Sequence, residues 1–271
     1  ISARGHNAQS VPCRYVHIVP ILCTMLPMTQ EETWLLKDKY NGVPSAAFES
    51  DVARLRGGEP LAYIIGWVPF LNTRIFLDSH PLIPRPETEY WVAQACAEIH
   101  TIENPRILDL CAGSGCIGIA VLHNGTDAYV DFAEIDASHH ATIARNLCEN
   151  GIDVSRTHII GGDLFTNITG RYDFILSNPP YIDPILNRTT ESVRTHEPAT
   201  ALYGGVDGFD IIARIIKEAP SFLNPNGTLI IEHEPEQSAA IRRAAPLAGF
   251  NAVVHKDQFC VERFSILRLS S

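Results

Sequence analysis

The chain has 271 residues and a hydrophobic content of 45%, which is typical of a folded globular protein and excludes a disordered or fibrous one. Its formal net charge is −10 and no run of Lys and Arg is present, which disfavours free DNA or RNA as a substrate. Seven cysteines are scattered without a C-x-x-C pair, which argues against a disulfide framework or a zinc site and fits a reducing compartment. No apolar run reaches the ~18–20 residues that a membrane span needs.

The first 27 residues differ from the rest, because the chain has no Asp or Glu before residue 31 but carries Arg4 and Arg14. This composition weakly resembles a transit peptide, which would place the protein in mitochondria. The alternative is that Met25 or Met28 is the native start and that residues 1–27 lie upstream of it. We favour the alternative, with a cytoplasmic location, because regular structure is predicted to begin just after Met28.

A small helical domain is predicted over residues 28–59. Thr29 is followed three residues later by Glu32, which is the pattern of a capping box and predicts a helix that ends at Asn41. Ser45 opens a second amphipathic pattern that stops at a pair of glycines. Both helices are too short to bury much apolar surface alone.

A change of pattern follows at residues 60–83, which are rich in aromatic and β-branched residues between turn signals and predict short strands in a β-hairpin linker. We assign residues 84–271 to one larger domain. A helix is expected from about Glu87, and from residue 106 onward short apolar strands alternate with helices, which predicts an α/β fold with a mostly parallel sheet. The last two apolar runs have little between them and predict an antiparallel pair at one edge.

The first pattern that carries chemistry is LDLCAGSGCIG at residues 108–118, where Gly113 and Gly115 lie between a predicted strand and a predicted helix. Glycines in such a turn let the backbone approach a ligand closely. The spacing is not that of a phosphate-binding loop. The residues alone therefore leave two interpretations, a cofactor loop or a tight turn.

Acidic residues follow the next two predicted strands. Glu134 and Asp136 lie about 20 residues after the glycines, where an acid accepts hydrogen bonds from ribose hydroxyls in dinucleotide folds. Either one could be the acceptor. Asp163 follows the third strand and could meet an adenine amine or only cap a turn. Together with the glycines, these acids favour a nucleoside-binding site.

The stretch YDFILSNPPYID ends a predicted strand on Asn178, Pro179, Pro180 and Tyr181. Ligands of open α/β sheets bind at this edge. A planar amide or amine substrate offers two N–H donors, which the Asn178 side-chain oxygen and the Pro179 carbonyl could accept. Both prolines hold φ near −65° and donate no N–H, and Tyr181 could wall the pocket.

These motifs resemble, in this order along the chain, those of class I S-adenosylmethionine-dependent methyltransferases of the N-P-P-Y type. Four further blocks are similar to the HemK/PrmC family, the peptide-chain release factor glutamine methyltransferases, and the resemblance covers about residues 51–269. The blocks are GEPLAYIIG at 58–66, LIPRPETE at 82–89, VRTHEPATALYGGVDGFD at 193–210 and IIEHEPEQ at 230–237.

The resemblance implies a fold, a reaction and a set of site residues. The fold is a small helical domain, a β-hairpin linker and a Rossmann-like, seven-stranded methyltransferase domain. The reaction is N5-methylation of the glutamine in the G-G-Q motif of a release factor, with Asn178, Pro179, Pro180 and Tyr181 holding the amide. The residues implied to bind S-adenosylmethionine are Cys111, Ala112, Gly113, Ser114, Gly115, Asp136 for the ribose, Asp163 and Leu164 beside the adenine, and Asn178.

The partner expected from this resemblance is a release factor, with the enzyme acting as a monomer and without metal, nucleic acid or membrane. Three alternatives stay open: a glutamine methyltransferase of a ribosomal protein, an N6-adenine methyltransferase of nucleic acid, and an inactive binding protein on the same fold. The helical domain is shorter than is usual in the family, which puts the docking of the partner in doubt more than the chemistry. Leu82 and Leu164 also stand where some relatives carry an aromatic ring.

Overall fold

The computed structural model describes residues 28–125, 127–186 and 188–270. Both readings of residues 1–27 therefore lie outside the described residues. Within the three described ranges, no helix combines the length and the apolar character that crossing a membrane requires. The same ranges contain no group of three His, Cys, Asp or Glu side chains placed to hold a metal ion.

Three short helices open the described chain and enclose a small apolar core of their own. The first begins at the predicted capping box, in which the Thr29 hydroxyl accepts from the Glu32 N–H and the Glu32 carboxylate accepts from the Thr29 N–H. Asn41 ends it in the left-handed conformation, as expected for a helix stop. The helices are α1 (Gln30–Tyr40), α2 (Ala46–Arg56) and α3 (Leu61–Ile65).

The predicted hairpin is confirmed, but it is shorter than residues 60–83. Strands β1 (Trp67–Phe70) and β2 (Thr73–Phe76) pair in antiparallel register. The apolar run before them forms helix α3 rather than a strand, so the prediction for that run was wrong. A short apolar run does not reveal its period, and here Tyr63 and Ile64 are buried from one helical turn that Gly66 ends at φ 93°.

The rest of the chain builds one seven-stranded sheet with helices between its strands. The first of these helices starts at Pro86, one residue before the predicted start, because a helix tolerates proline in its first turn. The helices are α4 (Pro86–Ile99), α5 (Cys116–His123), α6 (Ala137–Glu149), α7 (Glu191–His196), α8 (Ala199–Leu202), α9 (Asp210–Glu218) and α10 (Ser238–Leu247). The strands are β3 (Arg106–Leu110), β4 (Tyr129–Glu134), β5 (Thr157–Gly161), β6 (Tyr172–Ser177), β7 (Leu223–Glu232), β8 (Phe250–Lys256) and β9 (Glu262–Leu269).

The strand order is β5-β4-β3-β6-β7-β9-β8, and the first five of these strands run parallel. Strand β9 is antiparallel to both of its neighbours, which confirms the predicted antiparallel pair at one edge. After β3 the chain first adds strands on one side and then returns to add β6 on the other. The sheet therefore has its switch point at β3, where open α/β sheets bind their ligands.

Two apolar cores cover the two faces of this sheet. Gly118 shows how closely α5 packs against it, because a Cβ at this position would lie 2.5 Å from the Phe132 ring and 2.8 Å from the Val130 side chain. The third glycine of the LDLCAGSGCIG stretch is therefore needed for packing between helix and strand. This contact fixes the start of α5 and, with it, the loop that precedes α5.

Candidate active site

Three strands deliver the predicted site residues to one edge of the sheet. Leu110 at the end of β3 pairs with Ala133 of β4 and with Ser177 of β6, so the residues that follow these strands are neighbours. Asn178 directly follows β6, and the glycine loop directly follows β3. The structure therefore confirms that the glycine loop and Asn178 lie at the carboxyl edge of the sheet, as the strand pattern predicted.

A cavity of about 370 Å³, here named the loop cavity, opens at this edge. Its size falls within the ~300–1,000 Å³ of typical small-molecule sites. It brings together every residue predicted to bind a cofactor except Gly115. The predicted residues that line it are Cys111, Ala112, Gly113, Ser114, Asp136, Asp163, Leu164 and Asn178.

Gly113 and Gly115 have different roles in the loop. Gly113 has φ 54°, and a Cβ on it would meet no atom within 4 Å, so its backbone faces open space. Gly115 has φ 78°, and a Cβ on it would lie 3.2 Å from the side chains of Ile119 and Ile143. Gly115 therefore shapes the turn from behind and does not line the loop cavity.

Asp109, the acid of the LDL run, is buried beneath the start of α5. The Gly118 N–H donates to its Oδ2 at 2.9 Å. Burial raises the pKa of this carboxyl to about 8, against the lowering effect of that hydrogen bond. Asp109 was not among the predicted site residues. Its hydrogen bond to the Gly118 N–H places it where it can hold the turn before α5, and it does not line the loop cavity.

The two acids after β4 are distinguished by the structure. Glu134 is buried, and its carboxylate accepts from the Gly113 N–H at 2.7 Å and from the Asp136 N–H at 2.8 Å. Asp136 is half exposed and caps α6 by accepting from the Ser138 N–H, which holds its pKa below the usual range. Both acids line the loop cavity, but only Glu134 is fixed in orientation by the glycine loop.

Asp163 and Leu164 lie at the far end of the loop cavity. The Asp163 carboxylate accepts two hydrogen bonds from the Arg214 guanidinium, at 3.2 and 2.9 Å. This ion pair sets the direction of a half-exposed side chain. Leu164 is buried with φ 47°, a conformation that is uncommon for a residue with a side chain.

Asn178 lies at the junction of the loop cavity and a second cavity of about 450 Å³, here named the proline cavity, and lines both. Pro179 and Tyr181 line the proline cavity, whereas Pro180 lines the loop cavity. The four residues that were predicted to hold a planar amide are therefore divided between the two cavities.

A hydrogen-bonded network holds Asn178 through Thr88, which lines the loop cavity, and Glu232, which lines the proline cavity. Its amide Nδ2 donates to the Thr88 hydroxyl at 3.1 Å, and that hydroxyl donates to Glu232 at 2.7 Å. Glu232 is fully buried and also accepts from the Tyr181 hydroxyl and the Trp91 indole N–H. Burial raises the pKa of Glu232, and the three donors act in the opposite direction. Burial also raises the pKa of Tyr181, with the Glu232 charge adding to the effect.

Thr88, Trp91 and Glu232 were missed as site residues. Thr88 belongs to the LIPRPETE block and Glu232 to the IIEHEPEQ block, which carried the resemblance but received no chemical role. A signal was present in the sequence, since Glu232 is a carboxylate at the end of a strand whose preceding residues are apolar. A buried charge of this kind requires donors.

The other family-like blocks hold the N-P-P-Y backbone in place. Arg85 pairs with the buried Glu197 at 2.6 Å, which joins the LIPRPETE block to the segment before α8. A Cβ on Gly204 would lie 2.6 Å from the Pro180 carbonyl oxygen, and one on Gly208 would overlap the Tyr181 carbonyl. These glycines let the chain pass directly over the backbone of the motif.

Comparisons with known proteins identify relatives of this chain. The family described as "Methyltransferase small domain" matches residues 96–195. A release factor glutamine methyltransferase of Deinococcus radiodurans is 31% identical over 76% of this chain and 73% of its own length. One of Xylella fastidiosa is 34% identical over 82% of each chain.

A solved structure shares the fold. The T. thermophilus 16S rRNA N2 G1207 methyltransferase, in complex with AdoMet and guanosine, superposes with a TM-score of 0.52 at 16% sequence identity. The match covers 76% of this chain and 49% of that one. At this identity the likeness shows the fold alone, and the fold is the class I methyltransferase sheet that the sequence predicted.

Proposed function

The chain belongs to the release factor glutamine methyltransferase family, and on that premise we propose that it methylates the side-chain nitrogen (N5) of a glutamine in a peptide-chain release factor. The methyl donor is S-adenosylmethionine. The observation that carries the proposal is the position of Asn178, which lines both the loop cavity and the proline cavity. A side chain at that junction touches a cofactor and a substrate at once.

The loop cavity suits the cofactor in volume and in chemistry. When bound, S-adenosylmethionine supplies a sulfonium methyl group, which is already an activated electrophile. The open backbone at Gly113 admits it, and Asp163 and Leu164 would lie beside the adenine. For the ribose we propose Glu134 ahead of Asp136, because the glycine loop holds the Glu134 carboxylate in place and Asp136 is half exposed.

The proline cavity suits the glutamine side chain. An amide nitrogen is a poor nucleophile, because its lone pair is delocalised into the carbonyl group. The Asn178 oxygen and the Pro179 carbonyl would accept its two N–H groups and favour positive charge on the nitrogen during transfer. Tyr181 completes the wall, so the enzyme contributes alignment of the two reactants rather than a strong base.

The residues on either side of the glutamine also need space on the enzyme. A groove of about 680 Å³ begins at Tyr181 and runs toward α10. Its walls include the apolar side chains of Leu186 and Leu247, both exposed, and the carboxylates of Asp183 and Glu236. We propose that the segment of the release factor next to the glutamine lies in this groove.

The proposal also covers the cellular location, the oligomeric state and the domain boundaries. We propose a monomer in the cytoplasm that acts on the protein substrate without nucleic acid or a membrane. Residues 28–59 would form the helical domain, residues 60–83 the linker and residues 84–271 the methyltransferase domain. Light scattering of the purified protein tests the monomer, and limited proteolysis tests the two boundaries.

The direct test is incubation with methyl-labelled S-adenosylmethionine and a release factor, beside the same factor with its G-G-Q glutamine changed to alanine. We expect label on the first protein and none on the second. Equal label on both would contradict the glutamine assignment. Parallel reactions with ribosomal proteins and with adenine-containing nucleic acid test the two alternative substrates, and label there with none on the release factor would replace the proposal. Retention of the cofactor without product in any reaction would favour an inactive binding protein.

A further inference from the structure

One buried carboxylate controls the hydrogen bonds behind the N-P-P-Y motif. Glu232 ends β7 with no exposed surface, and three side chains from two other parts of the chain donate to it. The donors are the Thr88 hydroxyl at 2.7 Å, the Trp91 indole N–H at 2.7 Å and the Tyr181 hydroxyl at 2.8 Å.

When Glu232 is ionised, only one assignment of donors and acceptors satisfies all the hydrogen bonds of this network. A carboxylate can only accept hydrogen bonds, and a hydroxyl has one hydrogen to donate. The Thr88 hydrogen is therefore directed to Glu232 Oε2, which leaves the Thr88 oxygen as an acceptor. Its remaining neighbour is the Asn178 amide at 3.1 Å, which must then donate through its NH2 group.

The orientation of the Asn178 amide follows from this count. An amide has its NH2 and its oxygen on opposite branches, so the surrounding donors and acceptors decide which branch faces which neighbour. With the NH2 group turned to Thr88, the oxygen faces away from Thr88. In the flipped orientation an NH2 group would face the N–H groups of a substrate amide, and two donors cannot form a hydrogen bond.

We propose that Thr88 and Glu232 are positioning residues that make Asn178 present its oxygen, rather than its NH2 group, to the substrate amide. The inference rests on the proposed function, since it concerns the same glutamine site. Glu232 acts through Thr88 on Asn178 and directly on the Tyr181 hydroxyl. One carboxylate, far from the motif in sequence, therefore orients the side chains at both ends of N-P-P-Y.

The test compares Thr88→Val, which removes the hydroxyl at nearly constant shape, with Thr88→Ser, which keeps it. Single-turnover methyl transfer at saturating S-adenosylmethionine should fall about tenfold to a hundredfold in Thr88→Val and stay within about threefold in Thr88→Ser. Cofactor affinity, measured by calorimetry, should stay within about threefold in both. Equal rates for Thr88→Val and the wild type would overturn the proposal, and so would equal losses in the two variants.

A second measurement does not depend on the substrate. In protein labelled at asparagine side-chain nitrogen, the Asn178 NH2 group should exchange its hydrogens slowly in the wild type and in Thr88→Ser, and quickly in Thr88→Val. Fast exchange in the wild type would contradict the inferred orientation even if glutamine is methylated. Slow exchange in an enzyme that methylates no release factor would instead overturn only the proposed function.

The carboxylate itself is tested with Glu232→Gln, provided that thermal unfolding shows a folded protein. A glutamine has one acceptor and one donor branch, so it cannot accept from Thr88 and Tyr181 together. The Trp91 N–H can only donate, so the glutamine oxygen should take the Oε2 position and keep accepting from Thr88, while its NH2 group faces the Tyr181 oxygen. We therefore expect a smaller loss of transfer than in Thr88→Val, with the Asn178 hydrogens exchanging as slowly as in the wild type, and faster exchange would overturn the proposed chain of hydrogen bonds. If Glu232→Gln does not fold, the pair of Thr88 variants decides alone.

Discussion

The two halves of the site are built in different ways. The glycine-loop wall of the loop cavity is made of residues close in sequence, from Cys111 to Ser114, with the carboxylate of Glu134 fixing the loop. The proline cavity depends on Asn178, whose amide is held by side chains from α4 and β7. The first half should tolerate changes of side chain from Cys111 to Ser114 and depend on the single carboxylate of Glu134, whereas the second should lose function when any one group of the Asn178 network is removed.

The largest effect is expected from Asn178→Ala, which removes the polar side chain that, together with the apolar Leu82 and Ala201, lines both cavities. The variant loses the acceptor for one substrate N–H, and removal of one such group commonly costs at least about a hundredfold to a thousandfold in rate. We expect transfer to become nearly undetectable, while the affinity for S-adenosylmethionine changes less than about fivefold by calorimetry. Transfer at a near wild-type rate would break the account of the substrate half.

A large effect on stability is expected from His233, which follows Glu232 in the chain. It is buried, and burial lowers its pKa to about 4 from the ordinary 6.5. Between pH 6.5 and 4 the unfolded chain takes up a proton that the folded protein excludes, so the free energy of unfolding falls by about 3 kcal/mol as the pH drops through this window.

The measurement for His233 is denaturant unfolding across that window in the wild type and in His233→Asn, which keeps a donor for the Glu234 carbonyl. The difference between the two profiles isolates the imidazole, because the other titrating groups are common to both proteins. Asp109, whose pKa is raised to about 8, opposes the trend by losing stability as the pH rises from about 4 to 8. Parallel profiles for the wild type and His233→Asn would contradict this prediction, because they would show that His233 takes up its proton at the same pH in the folded and the unfolded protein.

The cofactor half is tested by Glu134→Gln against Asp136→Asn, which remove the same charge at neighbouring positions. A hydrogen bond to a charged group contributes about 1.5–3 kcal/mol, so the ribose acceptor should cost about tenfold to a hundredfold in cofactor affinity. We expect that loss for Glu134→Gln and less than about threefold for Asp136→Asn. The reverse order would return the ribose to Asp136, as the family resemblance predicted.

The smallest effect is expected from Gly118→Ala, which perturbs the loop cavity from behind. The new methyl group would press on Phe132 and Val130, and overpacking of this kind costs about 1–3 kcal/mol. The better helix propensity of alanine offsets about 1 kcal/mol of that cost. We expect a net loss of at most about 2 kcal/mol in the free energy of unfolding and a shift of the cofactor affinity below about tenfold. A stabilised protein would show that α5 can move away from the sheet.

The same contrast explains what the sequence could and could not predict. The glycine-loop wall of the loop cavity was predictable because its residues are local, with glycines and acids at the ends of apolar strands, whereas walls such as Leu82, Thr88 and Ile211 come from distant parts of the chain. The edge on which Asn178 lies followed from the alternation of strands and helices. Helix α3 was not predictable from LAYII, because a run of five apolar residues fits a strand as well as a helical turn.

The network behind Asn178 depends on contacts that no local pattern records. Thr88 and Glu232 are 144 residues apart in the chain and meet only because α4 packs beside the end of β7. Both residues belong to sequence blocks that resemble the family, but a sequence block does not show which distant residues it contacts in space. Likewise, the choice between Glu134 and Asp136 needed the hydrogen bond from Gly113, which two acids spaced two residues apart cannot reveal.

The position of the transferred methyl group is the strongest test of the proposal that this protein methylates a release factor glutamine. Fragmentation of the release factor by tandem mass spectrometry, after reaction with the wild-type enzyme, locates that group to one residue, and release of methylamine on acid hydrolysis shows that it is on the side-chain nitrogen. We expect the wild-type enzyme to place a single methyl group on the side-chain nitrogen of the G-G-Q glutamine, and we expect no methyl group after reaction with Asn178→Ala. A methyl group on any other residue, or an equal yield from Asn178→Ala, would contradict it.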